Sequence, residues 1–294
     1  GRVLYIPNGV ANLSMKLAMQ SRTAGFASRA ARIRYALLDV DGVCVMGEEA
    51  IPKSAAALGQ LRTLVKGHRL ITNQSQASCT SVMQKLQRLD FDVRQGEVFS
   101  ALSAARNHVV QRQLRPLCLL TKGAMEEFQD FETEKPNAVV IGTAPDEMYY
   151  KRLTEAMRVL MEKDSELIAV NKGRYFRESG EFQLMAGPFV AALEYATGKS
   201  ATVVGKPSPD FFNAVVRDAA GGQGIPLEQG VMVGDDVRDD IQGAMDVGMR
   251  AILVRTGKYR PGDEELCRPA PLAVVDCLAD AVTFLQESGL LMEE

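Results

Sequence analysis

Short apolar runs of strand length alternate with segments of helical spacing along most of this 294-residue chain, and that rhythm restricts the fold more than any other feature. Ile33-Arg-Tyr-Ala-Leu-Leu-Asp-Val reads as a buried strand running into Asp41-Gly42. Residues 54–65 carry Ala57, Leu58, Leu61, Leu64 and Val65 at helical spacing, and 69–72 form a short strand. Helical patterns follow over 82–89 and 101–110. The second half repeats the pattern, with strands at 201–204, 230–233, 250–254 and 272–275 and helices at 209–219, 239–247 and 278–286. Strands separated by helices pair in parallel, because a parallel connection needs a crossover. The expectation is an α/β fold, a Rossmann-like parallel sheet with helices on both faces.

Between the halves lies a smaller α/β pattern. Strands are expected at 116–120, 138–141 and 167–170, with helices near 124–128 and 145–161. Residues 175–185 read as a hairpin with Ser179-Gly180 at its turn. The expected organisation is a core from 35–113 and 189–294, an inserted domain at 114–188 and an N-terminal extension, 1–34.

Composition then excludes several kinds of chemistry. Only two histidines occur, His68 and His108, which leaves little room for Ser-His-Asp catalysis or an H-E-x-x-H zinc site. Both fit structural positions. The five cysteines at 44, 79, 118, 267 and 277 are odd in number and show no C-x-x-C spacing. A thiolate zinc site or disulfide framework is therefore not expected, and an intracellular, reducing compartment is. A net charge of −3 gives no overall nucleic-acid footprint, and no apolar run approaches the ~18 residues of a membrane span. Residues 1–34 hold six basic side chains and no acidic one. Two readings fit this segment: a mitochondrial transit peptide or its remnant, or a solvated extension of a cytoplasmic protein.

Hydrolytic chemistry here should run on carboxylates, and four segments at strand ends supply candidates. Ligands of open parallel sheets bind outside the carboxyl ends of the strands. Asp39-Val40-Asp41-Gly42 places two carboxylates on one face of a strand end. D-x-D is common in surface turns, but Asp39 directly follows Ala36-Leu37-Leu38, and a carboxylate there needs a metal or cationic partner. Asp39 suits a nucleophile and Asp41 a general acid/base. Thr72-Asn73 offers a hydroxyl and backbone N–H groups to a phosphoryl oxygen, though alone it reads more readily as a helix cap. Lys206, in Gly205-Lys206-Pro207, can balance phosphate charge. Gly234-Asp235-Asp236-Val-Arg-Asp239-Asp240 crowds four carboxylates, which repel unless a cation sits nearby. Mg²⁺ fits oxygen ligands of this kind. Other phosphate signatures fail: Gly198-Lys199-Ser200 has Leu193 where a P-loop needs its first glycine.

Together and in this order, the four segments resemble the signature of the haloacid-dehalogenase (HAD) superfamily. The gap from Thr72 to Lys206 is similar to that of the 4-nitrophenylphosphatase-like branch, which carries a C2-type cap, and the resemblance spans about residues 35–290. It implies a Mg²⁺-dependent phosphatase acting on a small phosphorylated substrate through an aspartyl-phosphate. It implies that Asp39 attacks phosphorus and binds Mg²⁺, with Asp235 and the Asp41 main-chain carbonyl as further ligands. Asp41 would protonate the leaving group, Thr72, Asn73 and Lys206 would hold the phosphoryl group, and Asp239 or, preferably, Asp240 would support Lys206. Lys172 and Arg174 either attract a second anionic group, as pyrophosphate would need, or form a solvated turn. Pairing through the cap is a further implication. The basic extension raises a different role, that of a structural subunit in a larger, mitochondrial assembly.

Overall fold

The computed structural model describes residues 32–178 and 181–292, so the basic extension up to residue 31 and the Ser179-Gly180 turn lie outside the described residues. The first strand, β1 (Tyr35–Asp39), is buried at every position. It is followed by a two-stranded antiparallel hairpin, β2 (Val45–Met46) and β3 (Glu49–Ala50), which folds back beside Asp41. Helix α1 (Ser54–Leu64), β4 (Gly67–Thr72), α2 (Cys79–Arg88), β5 (Val98–Ser100) and α3 (Ala101–Gln111) complete the first half of the core. Ser78 and Ser100 start α2 and α3 by accepting the main-chain N–H of Ser81 and Ser103, which satisfies a donor that a helix start leaves open.

The insertion begins with β6 (Pro116–Leu119) and a short helix, α4 (Lys122–Met125). It continues through β7 (Ala138–Ile141), α5 (Tyr150–Met161), β8 (Glu166–Ala169) and the hairpin β9 (Tyr175–Glu178) and β10 (Glu181–Leu184). Helix α6 (Gly187–Thr197) and β11 (Thr202–Val203) follow. The chain then re-enters the core through α7 (Pro209–Ala219), β12 (Gly230–Gly234), a π-helical turn at Val237–Gln242, α8 (Gly243–Asp246), β13 (Arg250–Val254), β14 (Ala273–Val275) and α9 (Leu278–Glu287).

The large sheet is parallel throughout, in the order β14-β13-β12-β1-β4-β5. The strand carrying Asp39 is therefore internal, flanked by β12 and β4. Its side chains alternate between two clusters, as the period of a strand requires. Leu37 joins Ile71, Met232, Leu253 and the α3 and α7 residues Leu102, Phe211 and Phe212. Ala36 and Leu38 face the opposite cluster with α1, α2 and α9. Burial on both faces explains why the strand reads as a continuous apolar run.

The smaller sheet is also parallel, in the order β11-β8-β7-β6. Here the sequence reading is corrected. The 201–204 strand pairs with β8 rather than with the core, and α6 packs Val190 and Leu193 on the smaller sheet's outer face. The insertion's sheet thus runs to Val203, not to 188. A two-residue apolar edge strand says nothing in sequence about which sheet it joins. The strand at 98–100 and the hairpin at 45–50 were not expected either, and the 239–247 helix is split by its π-helical start.

The inner face of the smaller sheet, with Ala138, Val140, Ile168 and Val170, belongs to the same apolar cluster as α3. Polar staples lie along this junction. Glu166 of β8 meets His108 at 3.1 Å and Arg112 at 2.5 Å, while Glu126 and Glu127 accept the Ser78 hydroxyl (2.6 Å) and the Cys79 N–H (2.8 Å). His68 is buried against Glu97 at 3.6 Å, and burial pushes its imidazole below the usual range. Both histidines thus face a carboxylate of the scaffold, and His68 Nε2 makes no hydrogen bond. Among the described residues no helix is long and apolar enough to cross a membrane.

Candidate active site

The carboxyl ends of both sheets meet around a cleft of about 430 Å³. Asp39 ends β1, Thr72 ends β4, Lys206 lies in the turn after β11 and Asp235 follows β12. Four segments far apart in sequence come together because each leaves its strand at the same edge. Asp39, Asp41, Thr72, Asn73, Lys206, Asp239 and Asp240 all line the cleft, and Asp235 lies behind it.

Lys206 organises the floor. Its Nζ donates to Asp39 Oδ1 at 2.7 Å and to Asp240 Oδ1 at 2.6 Å, and all three side chains are buried. Its main chain is fixed by Asn73, whose Oδ1 accepts the Lys206 N–H (2.8 Å) and whose Nδ2 donates to the Lys206 carbonyl (2.9 Å). Asn73 therefore reads as a clamp on the lysine loop, and its Nδ2 also lies 3.4 Å from Asp239 Oδ2. Asp240 is the acid that meets Lys206, and its second oxygen accepts the Asp236 N–H at 3.1 Å. The π-helical turn makes this geometry possible, with Asp236 capping its start by accepting from the N–H groups of Arg238 and Asp239. Asp41 is exposed at the mouth, where its Oδ2 accepts the Thr72 hydroxyl at 3.4 Å.

Electrostatics follow from burial. Burial pushes the Asp39 carboxyl up to about 6 against the pull of Lys206, with Asp235 and Asp41 adding to the rise. Asp235 and Asp240 reach about 6 for the same reason, each also raised by a neighbouring carboxylate. Asp239 is raised to about 6 by burial and by Asp236 and Asp240. Burial alone would depress Lys206, but Asp240 and Asp39 outweigh it and hold the ammonium above its ordinary range.

Asp39, Asp235 and Asp240 each offer an oxygen, and these lie within 4.8 Å of one another. Asp235 Oδ1 is buried without a hydrogen-bond partner, while its Oδ2 accepts the Lys258 N–H at 2.6 Å. A cluster of this kind, with an orphaned carboxylate oxygen, fits a small oxygen-preferring cation. Two glycines make room for it. A Cβ on Gly42 (φ +87°) would fall 2.2 Å from Asp235 Oδ2, and one on Gly257 (φ +63°) still closer. Both positions also need the left-handed backbone that glycine tolerates.

The Asp235 shift gives a stability prediction for the metal-free protein. A carboxyl held at about 6 rather than 3.8 opposes folding increasingly as the pH rises through that window, and not below it. Asp235→Asn should therefore raise the melting temperature in EDTA at pH 7, by the equivalent of about 1–3 kcal/mol, and not at pH 3. A lower melting temperature at pH 7 in EDTA would contradict this account.

Some cleft residues escaped the sequence reading. Lys258 lines the cleft and its Nζ lies 3.1 Å from Asp236 Oδ2, and Thr256 donates to the Gly42 carbonyl. Both follow β13, so the same strand-end rule could have found them. Ser75 and Thr143 form the seam with the smaller sheet, where Ser75 Oγ accepts the Thr143 N–H and the Asn171 Nδ2 donor, each at 3.1 Å. Of the 171–175 segment only Asn171 lines the cleft. Lys172 does not, because Glu194 of α6 takes its Nζ at 2.7 Å, and Arg174 is an exposed residue outside the lining. Neither offers a second anion site there.

A buried carboxylate on the central strand, paired to a lysine and grouped with further carboxylates, defines an enzyme site that works by charge and position. Comparison with known proteins narrows the class. The family profile described as haloacid dehalogenase-like hydrolase matches residues 36–134, and a related HAD-hydrolase-like profile matches 203–281. The chain is 42% identical to haloacid dehalogenase-like hydrolase domain-containing protein 2 of Bos taurus, over 86% of this chain and 96% of the relative. It is 40% identical to human phospholysine phosphohistidine inorganic pyrophosphate phosphatase, over 89% of this chain and 97% of the relative. Among solved structures, 4-nitrophenylphosphatase from Thermotoga maritima superposes with a TM-score of 0.77 at 26% identity, covering 86% of this chain and 98% of that one. The chain belongs to the haloacid dehalogenase-like hydrolase family.

Proposed function

We propose that this chain is a Mg²⁺-dependent phosphatase that passes through an aspartyl-phosphate on Asp39. The observation that carries the reading is the Lys206 bridge between buried Asp39 and Asp240, set beside the orphaned oxygen of Asp235. Two similar proteins, phospholysine phosphohistidine inorganic pyrophosphate phosphatase and 4-nitrophenylphosphatase, are phosphatases by name, which supports it.

Asp39 and Asp235 would hold Mg²⁺, with the Asp41 main-chain carbonyl as a third protein ligand. When bound, the ion neutralises charge on the phosphoryl oxygens, which such reactions need more than covalent assistance. The Asp39 carboxylate attacks phosphorus, and the bond to the leaving oxygen breaks. Asp41, exposed at the mouth, gives that oxygen its proton. Water then attacks phosphorus, Asp41 takes a proton from it, and the bond to Asp39 breaks to release inorganic phosphate. Lys206 balances the negative charge throughout, held in place by Asn73 and Asp240. The Thr72 hydroxyl contacts a phosphoryl oxygen.

Hydrolysis of p-nitrophenyl phosphate tests the reading. Purified protein should turn over with Mg²⁺ and lose activity by at least about 100-fold in EDTA, with recovery on adding Mg²⁺ back. Acid-quenched enzyme should carry a phosphoryl group that hydroxylamine removes, as an acyl phosphate requires. Equal rates in EDTA, or a phosphoenzyme stable to hydroxylamine, would refute it.

A further inference from the structure

The cleft continues into an annexe of about 250 Å³ that takes no part in the phosphoryl chemistry. Gln76, Thr143 and Met185 line both spaces, so the two communicate. Met148, Leu184 and Phe189 complete the apolar wall of the annexe. Among the described residues no charged side chain lines it. Two cations of the smaller domain are engaged elsewhere: Lys172 with Glu194, and Arg152 with Glu147 and Glu155, at 2.7 Å in each case.

Thr143 supplies a second, independent observation. It is only 5% exposed, its main-chain N–H is satisfied by Ser75, and its Oγ1 has no hydrogen-bond partner. A buried hydroxyl left unpaired opposes folding by about 1–3 kcal/mol, and valine would fill the same volume without that penalty. Such a group needs a reason. Thr143 stands where the annexe joins the cleft, so a ligand spanning both spaces is the partner it lacks.

We propose that the annexe receives the substrate's leaving group, and that this group is uncharged, largely apolar and carries one hydrogen-bonding atom that meets Thr143 Oγ1. The substrate class is then a phosphate monoester of such an alcohol. The inference rests on the phosphatase reading for the phosphoryl half of the site. A second phosphate or a carboxylate would lie against Met148, Leu184 and Phe189 with no cation to compensate its desolvation. Thr143 orients the leaving group and exchanges no proton with it.

Non-hydrolysable phosphonates separate the two readings, because binding needs no turnover. Calorimetry in Mg²⁺ should show benzylphosphonate binding about tenfold or more tightly than methylphosphonate, from burial of the ring. It should also bind more tightly than 2-carboxyethylphosphonate. Leu184→Glu, at a position already 58% exposed, should remove most of the benzyl advantage and leave methylphosphonate unaffected. Thr143→Val should weaken 4-(hydroxymethyl)benzylphosphonate by about five- to tenfold relative to the wild type, and benzylphosphonate hardly at all. A packing role for Thr143 would move both ligands alike. Equal affinity for benzyl- and methylphosphonate, or preference for the carboxylate, overturns the annexe assignment even if the enzyme hydrolyses phosphate esters. Failure to bind any phosphonate overturns the phosphatase reading with it.

Discussion

Asp39→Asn should leave a folded protein whose turnover of p-nitrophenyl phosphate falls by about 10⁴-fold or more, the scale expected when a nucleophile is removed. The amide keeps the shape of the side chain and can still accept a hydrogen bond from Lys206, which also retains Asp240. It cannot form the phosphoryl bond. Burial within β1, between β12 and β4, fixes the variant's position, so the loss should appear in kcat rather than in folding. The melting temperature in EDTA at pH 7 should not fall, because the lost ion pair is offset by relief from the cost of ionising a buried carboxyl and from the Asp235 charge. The acid-quenched variant should carry no label from a ³²P-labelled phosphate ester. Activity within tenfold of the wild type would remove Asp39 from the chemistry.

Lys206→Met should damage stability and catalysis together. Its ammonium is the direct hydrogen-bonding partner of two buried carboxylates, Asp39 and Asp240. Removing one partner of a buried ionic group is destabilising by about 3–5 kcal/mol, because uncompensated charge remains. The pH dependence distinguishes this from a packing defect. Asp39 and Asp240 already sit at about 6, above their ordinary 3.8, and losing Lys206 raises them further. A carboxyl raised in the folded state opposes folding only where it must ionise. The deficit should therefore be smallest below pH 6, where both carboxyls are protonated with or without Lys206, and should grow as the pH rises above 6. Chemical denaturation in EDTA at pH 4, 5.5 and 7.5 measures it, and a deficit independent of pH would show that packing dominates. Turnover at pH 7.5 should fall by about 10³-fold.

Much of the site was legible because strand ends in a parallel sheet are a geometric rule, not a family habit. Asp39 follows an apolar run that has to be buried, so its charge demands a partner whatever the surrounding fold. Lys206 and Asp240 belong to separate segments of the sequence, and the cleft brings them within 2.6 Å. What was not legible depends on pairing at a distance. The edge strand β11 has two residues and no pattern of its own, so its membership of the smaller sheet is decided by β8. Lys172 looked available for an anion, but the carboxylate that takes it lies on α6, 22 residues on. Thr143 had no signal beyond its place after a strand, since its importance comes from a partner it lacks.

The placement of β1 also governs how the chain emerges during synthesis. Its pairing with β4 forms soon after translation of residue 72, but its other edge waits for Gly230 to Gly234. At about 5–20 residues per second, that edge stays open for about 8–32 s. Over that interval one edge of an apolar strand, with Asp39 at its tip, is an unpaired template for other chains. The insertion is made during the same wait, and its own four-stranded sheet can close and pack on α3 first. Helix α3 and the smaller sheet would then shelter one face of the nascent core before its last strands arrive. Chaperone dependence in this protein should accordingly be concentrated in nascent chains that end between β4 and β12.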